Sequence, residues 1–512
     1  MIAYAASLLI SLYLLACIAT LRTGIPWCDE GWFGEPAYTL NTRGMIANPT
    51  IDPTYTLRTL RFTGVDRHMY YAMPGYILAQ AVWYRITGFG LFAMRSLSVM
   101  WSIVALLAWG LILDWLFDDP IMVLAAIGAV ALDFHFIWAA TAGRMDMMTA
   151  ALGLAAIAVY LRGPARYAGW TVFGSHCLMA AAIFTHPYAV LLWIDLVALT
   201  LFFDGRKLNI RTIASAVTPY FACIAAWAVY IGKDPGAFRA QFGGNAAARW
   251  DGLLIVKAPW TELWNEIHTR YLEYYGLAPY SHGISRAKLA ILVIYFASFG
   301  AMLATRKIRQ RQAYRVLLWI AGAHCLLLTA FDGMKLYTYL LYVVPFLASL
   351  AALYFVFSWR ARSIPRALLL VAGAVFVTVQ LATVWTRVLH NDYANRYLPA
   401  ARFLQSHLQP AQTVMATAEF GFQLGFGGRL IDDYRLGCLS GKRPDFVVIE
   451  ERAYVGAIGF LKTQDPPCYR FVQNELSRHF RRVYDSGGYR IYERQPDRTA
   501  LPPALAPGKD RI

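Results

Sequence analysis

Directly after its first apolar run the chain reads Cys28-Asp29-Glu30-Gly31-Trp32-Phe33-Gly34-Glu35, two adjacent carboxylates with a third close by. A charge at mid-bilayer costs about 2.5–3.5 kcal/mol on insertion scales, so acids kept at a membrane edge call for a reason. One reason is chemical, since a carboxylate can take the proton of an attacking hydroxyl. The other is structural: Asp29 as an N-cap and Glu30 in a first helical turn would both sit well at the positive end of a helix dipole. Arg144 and Asp146 form a second charged couple, which also reads as a local salt bridge. Arg58, Arg61, Arg67, His68, Arg249, Lys257, Arg270 and Lys335 are cations able to answer negative charge. Each can equally snorkel as an interfacial anchor, the reading that suits Arg249 and Arg270 best. His186, before Pro187, reads first as a buried, hydrogen-bonded side chain. Asp29, Asp146 and His186 have no metal-motif spacing, although the three together would suit a divalent cation.

The elements that must hold these residues are mostly membrane helices. Of 512 residues, 58% are hydrophobic and 15% charged, with a mean hydropathy of +0.42, which excludes an ordinary soluble enzyme. The net charge of +16 lies mainly in short loops between apolar runs, where it signals orientation and not a nucleic-acid partner. Runs near the bilayer length of about 20 residues fall at 2–20, 91–117, 121–140, 146–161, 170–186, 187–203, 211–231, 287–305, 315–331, 337–357 and 366–388. The expected fold is therefore an α-helical polytopic membrane protein with about eleven spans, within a range of eleven to thirteen. The first run lacks the basic start of a signal peptide and reads as a retained helix, despite a superficial lipoprotein box at Leu14-Leu15-Ala16-Cys17. With the N-terminus in the cytoplasm, Arg162, Arg206, Lys207, Arg306 to Arg315 and Arg360 to Arg366 obey the positive-inside rule.

That orientation puts loops 21–90 and 232–286 outside, together with all residues after about 389. Both loops are rich in aromatic residues, as expected of helices lying in the interface, and 74–88 is the clearest of these. Residues 1–389 thus read as a transmembrane module and 390–495 as a small soluble α/β domain, followed by a disordered tail at 496–512. In the domain, 395–409 suggests an amphipathic helix, 413–418 and 445–451 strands, and 481–494 a hairpin turning at Gly487-Gly488. Of the seven cysteines, Cys438 and Cys468 lie in this domain and can pair if it is extracytoplasmic.

The stretch DEGWFGEPAYTLNTRG resembles the DE-x-x-Y-x-E signature that follows the first span in GT-C fold glycosyltransferases using polyprenyl- or dolichyl-phosphate sugars. That superfamily includes protein O-mannosyltransferases and the transferases that place aminoarabinose or galacturonic acid on lipid A. Further similarities follow in order: DRHMYYAMPGYILAQAVWYRITGFGLFAMRSLS, AGRMDMM, FTHPYAVLLWIDLVAL, MKLYTYLLYVVPFLASLAAL and VMATAEFGFQLGFGGRLIDD. Phe33 replaces the usual Tyr, and His186 the usual Lys.

The resemblance implies a membrane glycosyltransferase that moves a sugar, with inversion, from a polyprenyl phosphate to a lipid, polysaccharide or protein acceptor. Its place would be the periplasmic face of a bacterial inner membrane. Asp29 would be the catalytic base, with Glu30 or Asp146 orienting the acceptor or steadying the reacting carbon. Arg67, His68 and Lys335, with Arg58 and Arg61, would bind the donor phosphate. Glu35, Arg144, His186, Tyr71 and Tyr337 would contact the substrates. The alternative from another class is a transporter or lipid flippase, against which stands the clustering of polar residues on one side. No GxxxxGK[ST] loop and no HExxH helix occurs, which disfavours an ABC-type pump and a zinc protease.

Overall fold

The computed structural model describes residues 2–57, 59–163, 169–249, 254–279, 281–451 and 454–495. They fall into two compact units, one comprising the N-terminal helix up to Gly24 with Tyr70–Asn391, the other Ile25–Met69 with the chain from Asp392 onward. The tail at 496–512 and Arg58 lie outside the described residues.

The first unit is helical because only intrahelical hydrogen bonds satisfy a backbone surrounded by lipid. Among the described residues nine helices are long and apolar enough to cross a membrane, including Tyr4–Leu21, Leu91–Phe117, Met145–Arg162, Ile284–Ala304 and Val344–Ala361. The chain is a multi-pass membrane protein. All eleven expected segments are helical, but three depart from full straight spans. Gly169–Thr185 has only 17 residues, and 121–140 is a helix pair, Pro120–Leu132 and Phe134–Ala140, bent by 65°.

The bend falls at Asp133, which replaces the broken helical bonds with its own. Its Oδ1 accepts from the backbone N–H groups of His135 and Phe136, both at 2.9 Å, as an N-cap does. Its Oδ2 accepts from Tyr295 Oη at 2.7 Å and Gln380 Nε2 at 3.0 Å, while Gln380 Oε1 receives the Phe134 N–H at 2.8 Å. The span expected to begin at 337 starts later. Tyr337–Tyr342 forms a tight 3-10 segment, and Val344–Ala361 follows with Pro345 in its first turn, where a missing N–H costs nothing.

Ion pairs Arg162–Asp114 (2.9 Å) and Arg360–Asp119 gather four helix ends at one side of this unit. The opposite ends of two of those helices carry Asp146 and the Tyr337–Tyr342 turn. Arg162 and Arg360 thus lie at the ends of their helices opposite Asp146 and the Tyr337–Tyr342 turn.

The second unit is built on a five-stranded sheet. Introduced in chain order, β1 (Thr56–Leu57) and β2 (Leu60–Arg61) make a separate small hairpin, and β3 (Val414–Met415), β4 (Leu430–Ile431), β5 (Phe446–Glu450), β6 (Phe480–Ser486) and β7 (Tyr489–Arg494) make the sheet in the order β4-β3-β5-β7-β6. β3 runs parallel to β4 and β5, whereas β7 pairs antiparallel with β5 and β6. Gly487 and Gly488 turn the β6–β7 hairpin with φ of 61° and 82°, values that glycine adopts freely. The helix before the sheet is Leu398–His407, preceded by a short π-helical turn at Tyr393–Tyr397.

Residues 25–69, expected as an external loop of the membrane module, belong to this second unit. The cause is backbone pairing that composition cannot show. Ile51 bridges Asp432, with Asp432 N–H donating to Thr50 O (2.8 Å) and Asp52 N–H to Asp432 O (3.1 Å). Tyr434 Oη adds a bond to Thr56 O at 2.8 Å, and Lys442 pairs with Asp52 at 2.7 Å.

Candidate functional site

In the second unit the acidic motif opens the helix Cys28–Arg43, so both Asp29 and Glu30 lie in its first turn. Trp27, not Asp29, takes the N-cap position. Glu30 is buried and its Oε2 accepts from the Trp27 N–H at 3.4 Å, a capping role. Asp29 is half-buried, with Cys28 Sγ 4.0 Å from its Oδ1. Gly31 explains its own presence: a Cβ there would lie 2.4 Å from the Ala418 carbonyl carbon and from Glu419 N. The helix therefore sits directly on the backbone at 418–419. Trp32 Nε1 donates to Asp432 Oδ2 at 2.9 Å, beside bonds from Tyr454 Oη (3.0 Å) and the Ala418 N–H (3.1 Å). Burial nevertheless lifts the Asp432 carboxyl to about 6.

Glu35 is fully buried and ties the helix to the following loop. It accepts from Thr50 Oγ1 (2.6 Å), Thr50 N (3.0 Å) and Asn48 Nδ2 (3.4 Å). Burial outweighs those bonds and raises it to about 8. Such a residue is a structural tie, which differs from the substrate contact that the motif implies. Arg61 and Arg67 are exposed and His68 half-buried, the last two set by a turn whose N–H groups reach Gly64 O. Cys438 and Cys468 are joined by a disulfide with a Cα–Cα distance of 5.7 Å.

In the first unit, Arg144 Nε pairs with Asp146 Oδ2 at 2.7 Å, both side chains buried. Asp146 Oδ1 is buried without a hydrogen-bond partner. His186 Nδ1 accepts the Tyr188 N–H at 3.2 Å, and its ring lies 5.2 Å from Tyr188 and 5.7 Å from Tyr339. Tyr71 is buried, and its carbonyl accepts from Asn245 Nδ2 at 2.7 Å. Tyr337 is half-buried and stacks on Tyr274 at 4.7 Å.

Lys335 is not an open cation. Its Nζ lies 3.2 Å from Glu262 and 3.6 Å from Glu266, and it donates to Thr329 O at 2.6 Å. Arg270, which suits an interfacial anchor in sequence, is instead wholly buried between Glu266 (2.6 Å) and Asp332 (2.8 Å). Its other N–H group caps Leu336 O at 2.8 Å. These pairs brace the turn before Tyr337. Arg249, also expected as an anchor, has a different setting. It is half-buried, donates to Asn245 Oδ1 at 3.0 Å and to Tyr339 Oη, and its guanidinium stands 5.8 Å from the Tyr339 ring centre. Among the described residues no carboxylate lies within ion-pair distance of it. No group of three or more His, Cys, Asp or Glu able to hold a metal ion occurs among the described residues.

No protein-family model matches the chain, and no curated protein matches it. Solved structures do. ArnT from Cupriavidus metallidurans bound to undecaprenyl phosphate superposes with a TM-score of 0.57 at 14% identity, over 95% of this chain and 97% of that one. The chain has the GT-C fold. The Archaeoglobus fulgidus oligosaccharyltransferase in complex with zinc and sulfate matches with a TM-score of 0.52 at 12% identity, covering 91% of this chain and 67% of that one. AglB from the same organism, in complex with an inhibitory peptide and a dolichol phosphate, matches at 0.50 and 12% identity over 92% and 69%. At such identities the likeness speaks for GT-C architecture and says nothing of individual side chains.

Proposed function

We propose that the protein is a GT-C glycosyltransferase that moves a sugar from a polyprenyl phosphate to an acceptor on the outer face of a bacterial inner membrane. The observation that carries this reading is the likeness over 95% of the chain to a structure holding undecaprenyl phosphate. Two features of the chain support it. A half-buried acid, Asp29, opens a helix of the second unit, and Arg249, which has no carboxylate partner among the described residues, stands among tyrosines in the first.

Transfer needs the acceptor hydroxyl to attack the anomeric carbon while the phosphate oxygen leaves with the bonding electrons. Asp29 is assigned as the base that takes the hydroxyl proton. Arg249 and Tyr339 Oη are assigned to the leaving phosphate, whose charge a guanidinium and a hydroxyl stabilise. Arg249 takes over the role that Lys335 holds in the sequence reading, because two carboxylates already satisfy Lys335. Asp146, oriented by Arg144, steadies positive charge developing on the sugar. Arg67 and His68 remain candidates for further phosphate contacts in the second unit.

The disulfide supports an extracytoplasmic second unit, since such bonds persist in oxidising compartments. The test is a strain lacking the protein, its surface lipids, glycans and glycoproteins compared by mass with the parent. A missing sugar, restored by the wild-type gene and not by an Asp29→Asn variant, is the expected result. Unchanged masses in every class would remove the reading.

A further inference from the structure

The half of the broken helix beyond Asp133 carries side chains that the proposed chemistry does not use. His135 is fully buried; its Nδ1 is 2.8 Å from Tyr274 Oη, and its Nε2, on the far side of the ring, has no hydrogen-bond partner. An unpaired buried polar atom is costly, and natural structures keep few of them. A second one, Asp146 Oδ1, lies in the first turn of the helix Met145–Arg162, which packs against the helix Phe134–Ala140 that carries His135. Beside His135 runs a partly open aromatic wall. Trp138 stacks on the His135 ring at 5.5 Å and meets Tyr337 at 5.2 Å, and Tyr337 stacks on Tyr274 at 4.7 Å. All three wall residues are half-buried.

Flat aromatic faces beside a few unpaired polar atoms suit a ligand with both C–H faces and hydroxyls. A pyranose has both, whereas an isoprenoid chain would leave His135 Nε2 and Asp146 Oδ1 unpaired. We infer that the wall of Trp138, Tyr274 and Tyr337, with the unpaired atoms of His135 and Asp146, is the subsite for the sugar ring of the lipid-linked donor. The inference rests on the glycosyltransferase reading and adds the residues that recognise the transferred group. Sugar hydroxyls hydrogen-bonded to His135 Nε2 and to Asp146 Oδ1 satisfy both, and the ring packs its C–H face on Trp138 or Tyr337.

The test measures binding to the purified full chain of undecaprenyl phosphate and of undecaprenyl-phosphate glucose, mannose and 4-amino-4-deoxyarabinose. The wild type should prefer at least one sugar lipid to the bare lipid. Trp138→Leu should reduce that preference about tenfold, the size expected for one aromatic contact, and leave bare-lipid affinity unchanged. Tyr337→Leu serves as the second variant should Trp138→Leu fail to fold. Equal weakening of bare and sugar-bearing lipids would assign the wall to the polyprenyl chain and overturn the inference. So would a wild type with no preference for any sugar lipid, or variants that keep the preference intact. A wild type that binds no bare lipid would defeat the donor reading itself, and the subsite with it.

Discussion

At the scale of single residues, the division between chemistry and support follows from who is already partnered. Among the described residues Arg249 has no carboxylate within ion-pair distance, whereas Lys335 is held by Glu262 and Glu266. Arg249→Gln should therefore weaken undecaprenyl phosphate binding by about 10–100-fold, the worth of one charge-assisted hydrogen bond, with thermal stability little changed. Lys335→Ala should do the reverse, lowering the melting temperature by stranding buried carboxylates. Equal effects of both variants on binding would return Lys335 to the donor site. Glu35 gives a pH test of the second unit. Its folded value of about 8 lies above the ordinary 4.5, so the folded form holds the proton more tightly. Its stabilising effect is then complete below about pH 4.5 and is lost as pH rises through 8. Glu35→Gln should flatten the fall of melting temperature over that window, and an unchanged slope would show that another group titrates.

At the scale of elements, what could be read from the chain was local and what could not was long-range. The β6–β7 hairpin was legible because Gly487-Gly488 stands between alternating segments, and the short helix Pro74–Thr87 because its apolar run is brief and ends in Arg85. The break at Asp133 was not legible as a helix bend: its partners Tyr295 and Gln380 come from distant spans. Arg270 looked like an anchor for the same reason, since Asp332 lies far along the chain. Gly31 is the hinge of the acidic motif's position, and Gly31→Ala should push the helix Cys28–Arg43 off the backbone at 418–419. A loss of about 1–3 kcal/mol is expected, measured as earlier proteolysis of the second unit. Full protease resistance with unchanged activity would show that the backbone gives way easily. Buried pairs within the spans are structural in the same sense. His324 Nε2 sits 2.7 Å from Asp195 and His324 Nδ1 2.6 Å from Tyr342 O, so His324→Leu should lower the melting temperature by leaving Asp195 unpaired.

At the scale of the whole molecule, membrane orientation decides whether the assigned residues face a lipid-linked sugar or the cytosol. Glu30 is buried, so labelling must use exposed neighbours such as Thr42 and, at the basic end, Arg309. With other thiols removed, an impermeant reagent should reach Thr42→Cys from outside and leave Arg309→Cys untouched; the opposite pattern would invert the topology. The central claim is that Asp29 serves sugar transfer from a polyprenyl phosphate. Its most direct measurement is release of free polyprenyl phosphate from lipid-linked sugars in membranes carrying the wild type or Asp29→Asn at equal abundance. Loss of at least about 100-fold in the variant is the predicted result, the usual contribution of a general base. Release at the wild-type rate from properly inserted Asp29→Asn would contradict it.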